Sequence, residues 1–274
     1  MANRIWVELP QPSYFTGDVV SGTVLVETDK PVEARGLYLD ILGREATKIT
    51  RQRGKQSVTY RSQADLIGWR MTLHGPGVSP PGVQRFPFQF QIPVNGLPSY
   101  HGTHANVEYS VTARLDVPWW PDAVAQMPIS VFFARPSVRT FSDPVRFRSG
   151  GGGPESYVEL DGSKFFAREL IGCRITILRV GDHRVRRVYV KLIGGEWARA
   201  QNATETTTST ITELDIPMAT IRVGEPFAFE IPIAAEVQSS YRGTYSYYSY
   251  LLQIGLDIAW ATDLVAETPL VIVR

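Results

Sequence analysis

The sequence predicts an all-β protein built from two tandem, homologous antiparallel β-sandwiches, and three observations carry that reading. Apolar residues recur with a period of two along most of the chain, the spacing at which strand side chains share a face. No window of ten or more residues carries a helical stripe. The chain also repeats itself: Arg35–Glu45 returns as Arg186–Glu196 at an offset of 151, and Tyr100–Thr103 and Leu115–Trp119 return as Tyr241–Thr244 and Leu256–Trp260 at an offset of 141. Ordered matches at two steady offsets mark duplicated domains, 1–134 and 156–274, with ten extra residues between the blocks of the first copy. Between them, 135–155 carries Pro136, Pro144, Gly150–Gly153 and Pro154, and reads as a Pro/Gly-rich linker.

Taken from the amino terminus, Val20, Gly22, Val24 and Val26 alternate with other residues as a strand, and Leu37, Leu39 and Ile41 do likewise. The segment Arg44–Arg61 holds Arg44, Lys48, Arg51, Arg53, Lys55 and Arg61 against Glu45 alone, and it opens the stretch containing the ten extra residues. Phe86, Phe88, Phe90 and Ile92 form the next apolar face, closed by Pro93. From Val107 to Val117 the alternation is strict, with Glu108, Ser110, Thr112, Arg114 and Asp116 on the wet side. In the second copy Tyr248, Tyr250, Leu252, Ile254, Leu256 and Ile258 share a face, and Pro232 and Pro269 mark strand ends.

Composition bounds the function. The 274 residues suit two domains of about 100–200 residues, each able to bury a core. With 28 basic and 27 acidic side chains the net charge is +1, which supplies no general field for nucleic acid; contact with a membrane surface would need a local patch. A single cysteine, Cys173, excludes an internal disulfide and a thiolate metal cluster, and suits the cytoplasm. No apolar run reaches the 18 residues of a transmembrane segment, and the start lacks the apolar stretch of a signal peptide.

Several of these blocks resemble the arrestin family. Tyr14-Phe15-Thr16-Gly17-Asp18-Val19-Val20-Ser21-Gly22 is similar to the first block of the arrestin amino-terminal domain, Leu37–Gly43 with Glu45 to the next, and Phe90–Pro93 through Leu97–Tyr100 to Leu115–Pro118 to a third. Val158–Val273 resembles the carboxy-terminal domain. The resemblance implies two immunoglobulin-like sandwiches in a minimal form without a regulatory tail. It further implies a non-enzymatic adaptor or scaffold for a protein partner, with no cofactor. No Pro-Pro-x-Tyr segment is present: Pro80-Pro81 continues into Gly82-Val83.

Candidate sites follow from chemistry. The basic segment suits a phosphorylated or acidic partner, because guanidinium groups grip phosphate bidentately; the same Arg51, Arg53 and Lys55 would also suit an anionic lipid. Pro118-Trp119-Trp120-Pro121-Asp122 is a turn with two large aromatics. Trp119 recurs as Trp260 and is expected to support the fold from inside, which leaves Trp120 as the exposed aromatic. Tyr245 and Tyr247 lie off the core face of their strand and are the aromatic candidates for contact, including with carbohydrate. His101 and His104 are two imidazoles where a metal needs three or four converging ligands, so no metal site is expected. Enzyme motifs such as Gly-x-Ser-x-Gly and His-Glu-x-x-His are missing.

Overall fold

The structure, a computed structural model, describes residues 4–134, 145–150 and 153–274, with backbone alone for 145–150. It divides into two units. The first takes in residues 1–134 together with Ala198–Thr204 and Gly243–Ser246; the second takes in the remainder.

In the first unit the strands are β1 (Arg4–Glu8), β2 (Ser13–Phe15), β3 (Val19–Thr28), β4 (Val32–Ala34), β5 (Gly36–Arg53), β6 (Gln56–His74), β7 (Gly77–Ser79), β8 (Gly82–Gln91), β9 (Tyr100–His101), β10 (Ala105–Asp116) and β11 (Ala123–Phe132). One sheet has the order β1-β3-β8 and the other β2-β11-β10-β5-β6. The alternation in the sequence becomes the inward face of each sheet: Val20, Val24, Val26, Phe88 and Phe90 from one are buried, as are Leu37, Leu39, Ile41, Val111, Ala113 and Val131 from the other. Each large aliphatic side chain so removed from water stabilises the fold by about 1.5–3 kcal/mol.

The second unit repeats the plan with β12 (Val145–Gly150), β13 (Glu155–Leu160), β14 (Lys164–Phe166), β15 (Leu170–Arg179), β16 (Val185–Ala200), β17 (Ala203–Pro217), β18 (Pro226–Pro232), β19 (Tyr241–Arg242), β20 (Ser246–Ile258) and β21 (Leu264–Val273). Its sheets run β12-β13-β15-β18 and β14-β21-β20-β16-β17. The all-β class read from the sequence is therefore the class of the fold. Of the linker expected at 135–155, residues 135–144 and 151–152 lie outside the described residues, whereas Val145–Gly150 is strand β12, paired antiparallel with β13. Its Val-Arg-Phe-Arg-Ser pattern has the period of a strand, which the flanking prolines and glycines mask.

The duplication extends to the hydrogen bonds that tie strands together. Tyr109 donates its hydroxyl to the Leu97 carbonyl at 2.7 Å, and Tyr250 donates to Gln238 at 2.7 Å. Parallel pairing joins β2 to β11, Tyr14 opposite Val131, and β14 to β21, Phe165 opposite Ile272. Gly17, with φ +91°, has as its counterpart Arg168, with φ +72°: the turn needs a left-handed residue in both copies, and the second uses one with a side chain.

Candidate functional site

The basic segment forms the far end of the β5–β6 hairpin. Strand β10 pairs β5 only from Gly36 to Thr47, so beyond that point β5 and β6 continue as a two-stranded ribbon to the Gly54-Lys55 turn. Gly54, at φ +63°, supplies the positive φ that such a short hairpin turn needs at its first position. Register sorts the six cations. Arg44 stands opposite Asp65 and is paired with it at 2.7 Å; Arg51 donates to the Thr204 carbonyl at 2.7 Å. Lys48 lies directly opposite Arg61, and both are exposed. Arg53 and Lys55 flank the turn, also exposed. Among the described residues no carboxylate is within ion-pair distance of Lys48, Arg53, Lys55 or Arg61. Thus two of the expected cations are engaged within the first unit, and four face solvent.

What holds this ribbon is a set of contacts with Ala198–Thr204 and Gly243–Ser246, the two later segments of the first unit. Ile49 packs in a buried cluster with Ala200 and Ala203, with Tyr60 against it. Thr47 donates its hydroxyl to the Arg199 carbonyl at 2.7 Å. Glu45 is wholly buried, and its carboxylate accepts from the Thr244 N–H at 2.8 Å, the Tyr245 N–H at 2.9 Å and the Ser246 hydroxyl at 2.7 Å. A buried carboxylate is costly unless such donors replace its water. Gly243 must lack a side chain, because a Cβ there would stand 2.7 Å from the Glu45 carboxyl carbon. The sequence reading missed this role, counting Glu45 as a lone acid among cations. Its phase was the available signal, since Glu45 falls on the face of Leu39 and Ile41.

The aromatic candidates divide. Tyr245 is half-buried, tethered through its N–H to Glu45, with the Arg199 guanidinium 5.6 Å from its ring centre. Tyr247 is also half-buried: Trp197 stacks on it at 5.3 Å and 13°, and the Arg242 guanidinium lies 5.8 Å from the ring centre. Neither is the open aromatic face that the sequence suggested, because neighbouring strands bring flat partners to both rings. Trp120 is exposed at 66%, as expected. Trp119, expected to pack inside, is instead 99% exposed, and so is its counterpart Trp260. Both have left-handed φ, 64° and 62°, in turns closed by the Trp120 N–H on Val117 and the Ala261 N–H on Ile258. The turn geometry, which the linear pattern does not display, points each side chain outward.

His101 lies 3.7 Å from Glu108, and among the described residues no cluster of three His, Cys, Asp or Glu side chains could hold a metal ion. Cys173 is buried, and desolvation, with Asp161 nearby, pushes its thiol up to about 12, far from the thiolate a nucleophile needs. No helix among the described residues is long and apolar enough to cross a membrane.

Residues 4–134 match the family described as Arrestin (or S-antigen), N-terminal domain. The chain is similar to arrestin domain-containing protein 4 of Mus musculus, 32% identical over 131 residues that cover 43% of this chain and 32% of that protein. Its human counterpart is 29% identical over 131 residues, covering 43% of this chain and 31% of that one. Arrestin domain-containing protein 17 of Caenorhabditis elegans is 26% identical over 135 residues, covering 44% and 32%. The matched part of the chain spans about a third of the length of these curated relatives.

Proposed function

We propose that this arrestin-like protein is a cytoplasmic, non-enzymatic adaptor whose β5–β6 ribbon receives an acidic or phosphorylated segment of a protein partner. The observation that carries the reading is the Lys48–Arg61 pair. Like charges directly opposite across two strands destabilise a hairpin, and here no carboxylate among the described residues relieves them. A charge arrangement that costs the fold stability suits a surface whose counter-charge arrives with a partner. Arg53 and Lys55 extend the positive field to the turn, and Arg53 adds a planar fork suited to phosphate oxygens. The arrestin likeness of residues 4–134 supports the adaptor class.

The test is binding of matched phosphorylated and unphosphorylated peptides, carrying phosphoserine or phosphothreonine in an acidic context, to the whole chain. Binding of the phosphorylated form is expected to weaken about 10- to 100-fold in a Lys48→Glu/Arg61→Glu variant and to fall with salt. Equal binding by that variant, or no preference for phosphate, overturns the reading. The carbohydrate alternative loses its platform, since Tyr245 and Tyr247 already have cations or an indole against their rings.

A further inference from the structure

The turn at Trp119 places a large apolar side chain in solvent at a left-handed backbone position. A residue with a side chain costs the fold stability when it holds left-handed φ, and glycine is the usual occupant. An indole that is 99% exposed recovers none of that by packing. The same residue type stands at the same strained position in the second unit, Trp260, while the neighbours differ: Trp120 and Pro121 in one copy, Ala261 and Thr262 in the other. A partner protein read by shape would need the surroundings shared as well. What the two turns share is one protruding indole, which suits a medium without a fixed surface, the headgroup layer of a bilayer, where Trp is enriched.

The surroundings of Trp119 specify the lipid. An open groove is lined by Val32, Glu33, Pro118, Trp119, Trp120 and Asp122, and it contains no cation. Asp122 lies 3.7 Å from Arg114, whereas Glu33 is exposed. Two indoles beside a free-standing carboxylate attract a quaternary ammonium through ring faces and charge, and they repel a headgroup that is net anionic. We infer that the groove between Val32-Glu33 and Pro118–Asp122 docks onto a phosphatidylcholine surface, with Trp119 and Trp120 in the headgroup layer and Glu33 facing the choline. The site is separate from the basic ribbon. Gly36 is opposite Asp116 at one end of β5 and Arg53 is at the other, roughly 55 Å away at about 3.3 Å per residue, so lipid docking leaves Lys48 and Arg61 clear of the bilayer.

Co-sedimentation of the whole chain with phosphatidylcholine vesicles, against phosphatidylglycerol vesicles, tests this. The wild type is expected to sediment with phosphatidylcholine, and a Trp119→Gly/Trp120→Ala variant to partition about tenfold less or weaker. Because glycine suits the turn, that variant is expected to keep its circular dichroism spectrum and unfold no earlier, which separates lost binding from lost folding. Glu33→Gln is expected to reduce the preference for phosphatidylcholine, and Arg53→Glu/Lys55→Glu to leave it unchanged. The inference is overturned if the wild type stays in the supernatant, or if the tryptophan variant sediments as well as the wild type. It is equally overturned if phosphatidylglycerol binds better through Arg53 and Lys55, or if the tryptophan substitutions alter self-association without altering vesicle binding. Failure here leaves the phosphopeptide reading of the ribbon untouched.

Discussion

Tyr109 shows how much one side chain fixes. Its ring lies over Gly43, where an added Cβ would collide with it, and its hydroxyl holds the Leu97 carbonyl at 2.7 Å. Burial pushes the phenol up to about 12 from an ordinary 10.0. The neutral phenol is thus favoured in the folded chain. Its contribution is complete below pH 10 and is lost as the pH rises towards about 12. Tyr109→Phe is expected to cost about 1–2 kcal/mol near neutrality, because the carbonyl loses its donor. Denaturant titrations across this alkaline window should show the variant losing less stability than the wild type; equal losses would remove Tyr109 as a source of the pH dependence.

At the scale of the element, the β5–β6 ribbon carries a conflict between stability and binding. Its strands are held by Thr50 and Thr59, whose hydroxyls share a hydrogen bond at 3.0 Å, and by the packing of Ile49 and Tyr60. Lys48 against Arg61 works in the opposite direction. Lys48→Glu is expected to stabilise the chain by about 0.2–1 kcal/mol by turning a like-charge pair into an opposite one. The same change is expected to weaken phosphopeptide binding, so thermal unfolding and peptide titration should move in opposite directions. A Lys48→Glu variant that is less stable than the wild type would show that the pair is not repulsive in this setting. The sequence displayed the six cations but not their division, because register decides which of them meets Asp65, which meets a carbonyl, and which meet each other.

At the scale of the whole molecule, the first unit is not a continuous stretch of chain. Residues 1–134 supply the strands of its two sheets, yet the donors around Glu45 come from Thr244, Tyr245 and Ser246. A fragment of residues 1–134 is therefore expected to be less stable than the same unit in the full chain, since it buries or exposes a carboxylate deprived of three donors. Glu45→Ala should cost the full chain about 3–5 kcal/mol and the fragment much less, because only the full chain has donors to lose. Equal costs in the two, measured by urea unfolding, would show that Glu45 acts through residues 1–134 alone.

The sequence by itself determined the fold class and the duplication. Both are written in near-neighbour spacing: a period of two dictates which residues share a sheet face, and two fixed offsets reveal the repeat. It also displayed the composition of the basic segment and of the tryptophan turn. The tertiary structure decided which of those residues are available. Partners some 200 positions away satisfy Glu45, cross-strand register engages Arg44, and stacked neighbours cover Tyr247. A left-handed turn, set by the closure between β10 and β11, sends Trp119 into solvent although its recurrence suggested a buried role. Periodicity reports the side of a strand on which a residue lies; whether that side meets protein or water depends on segments that come together only when the chain closes on itself.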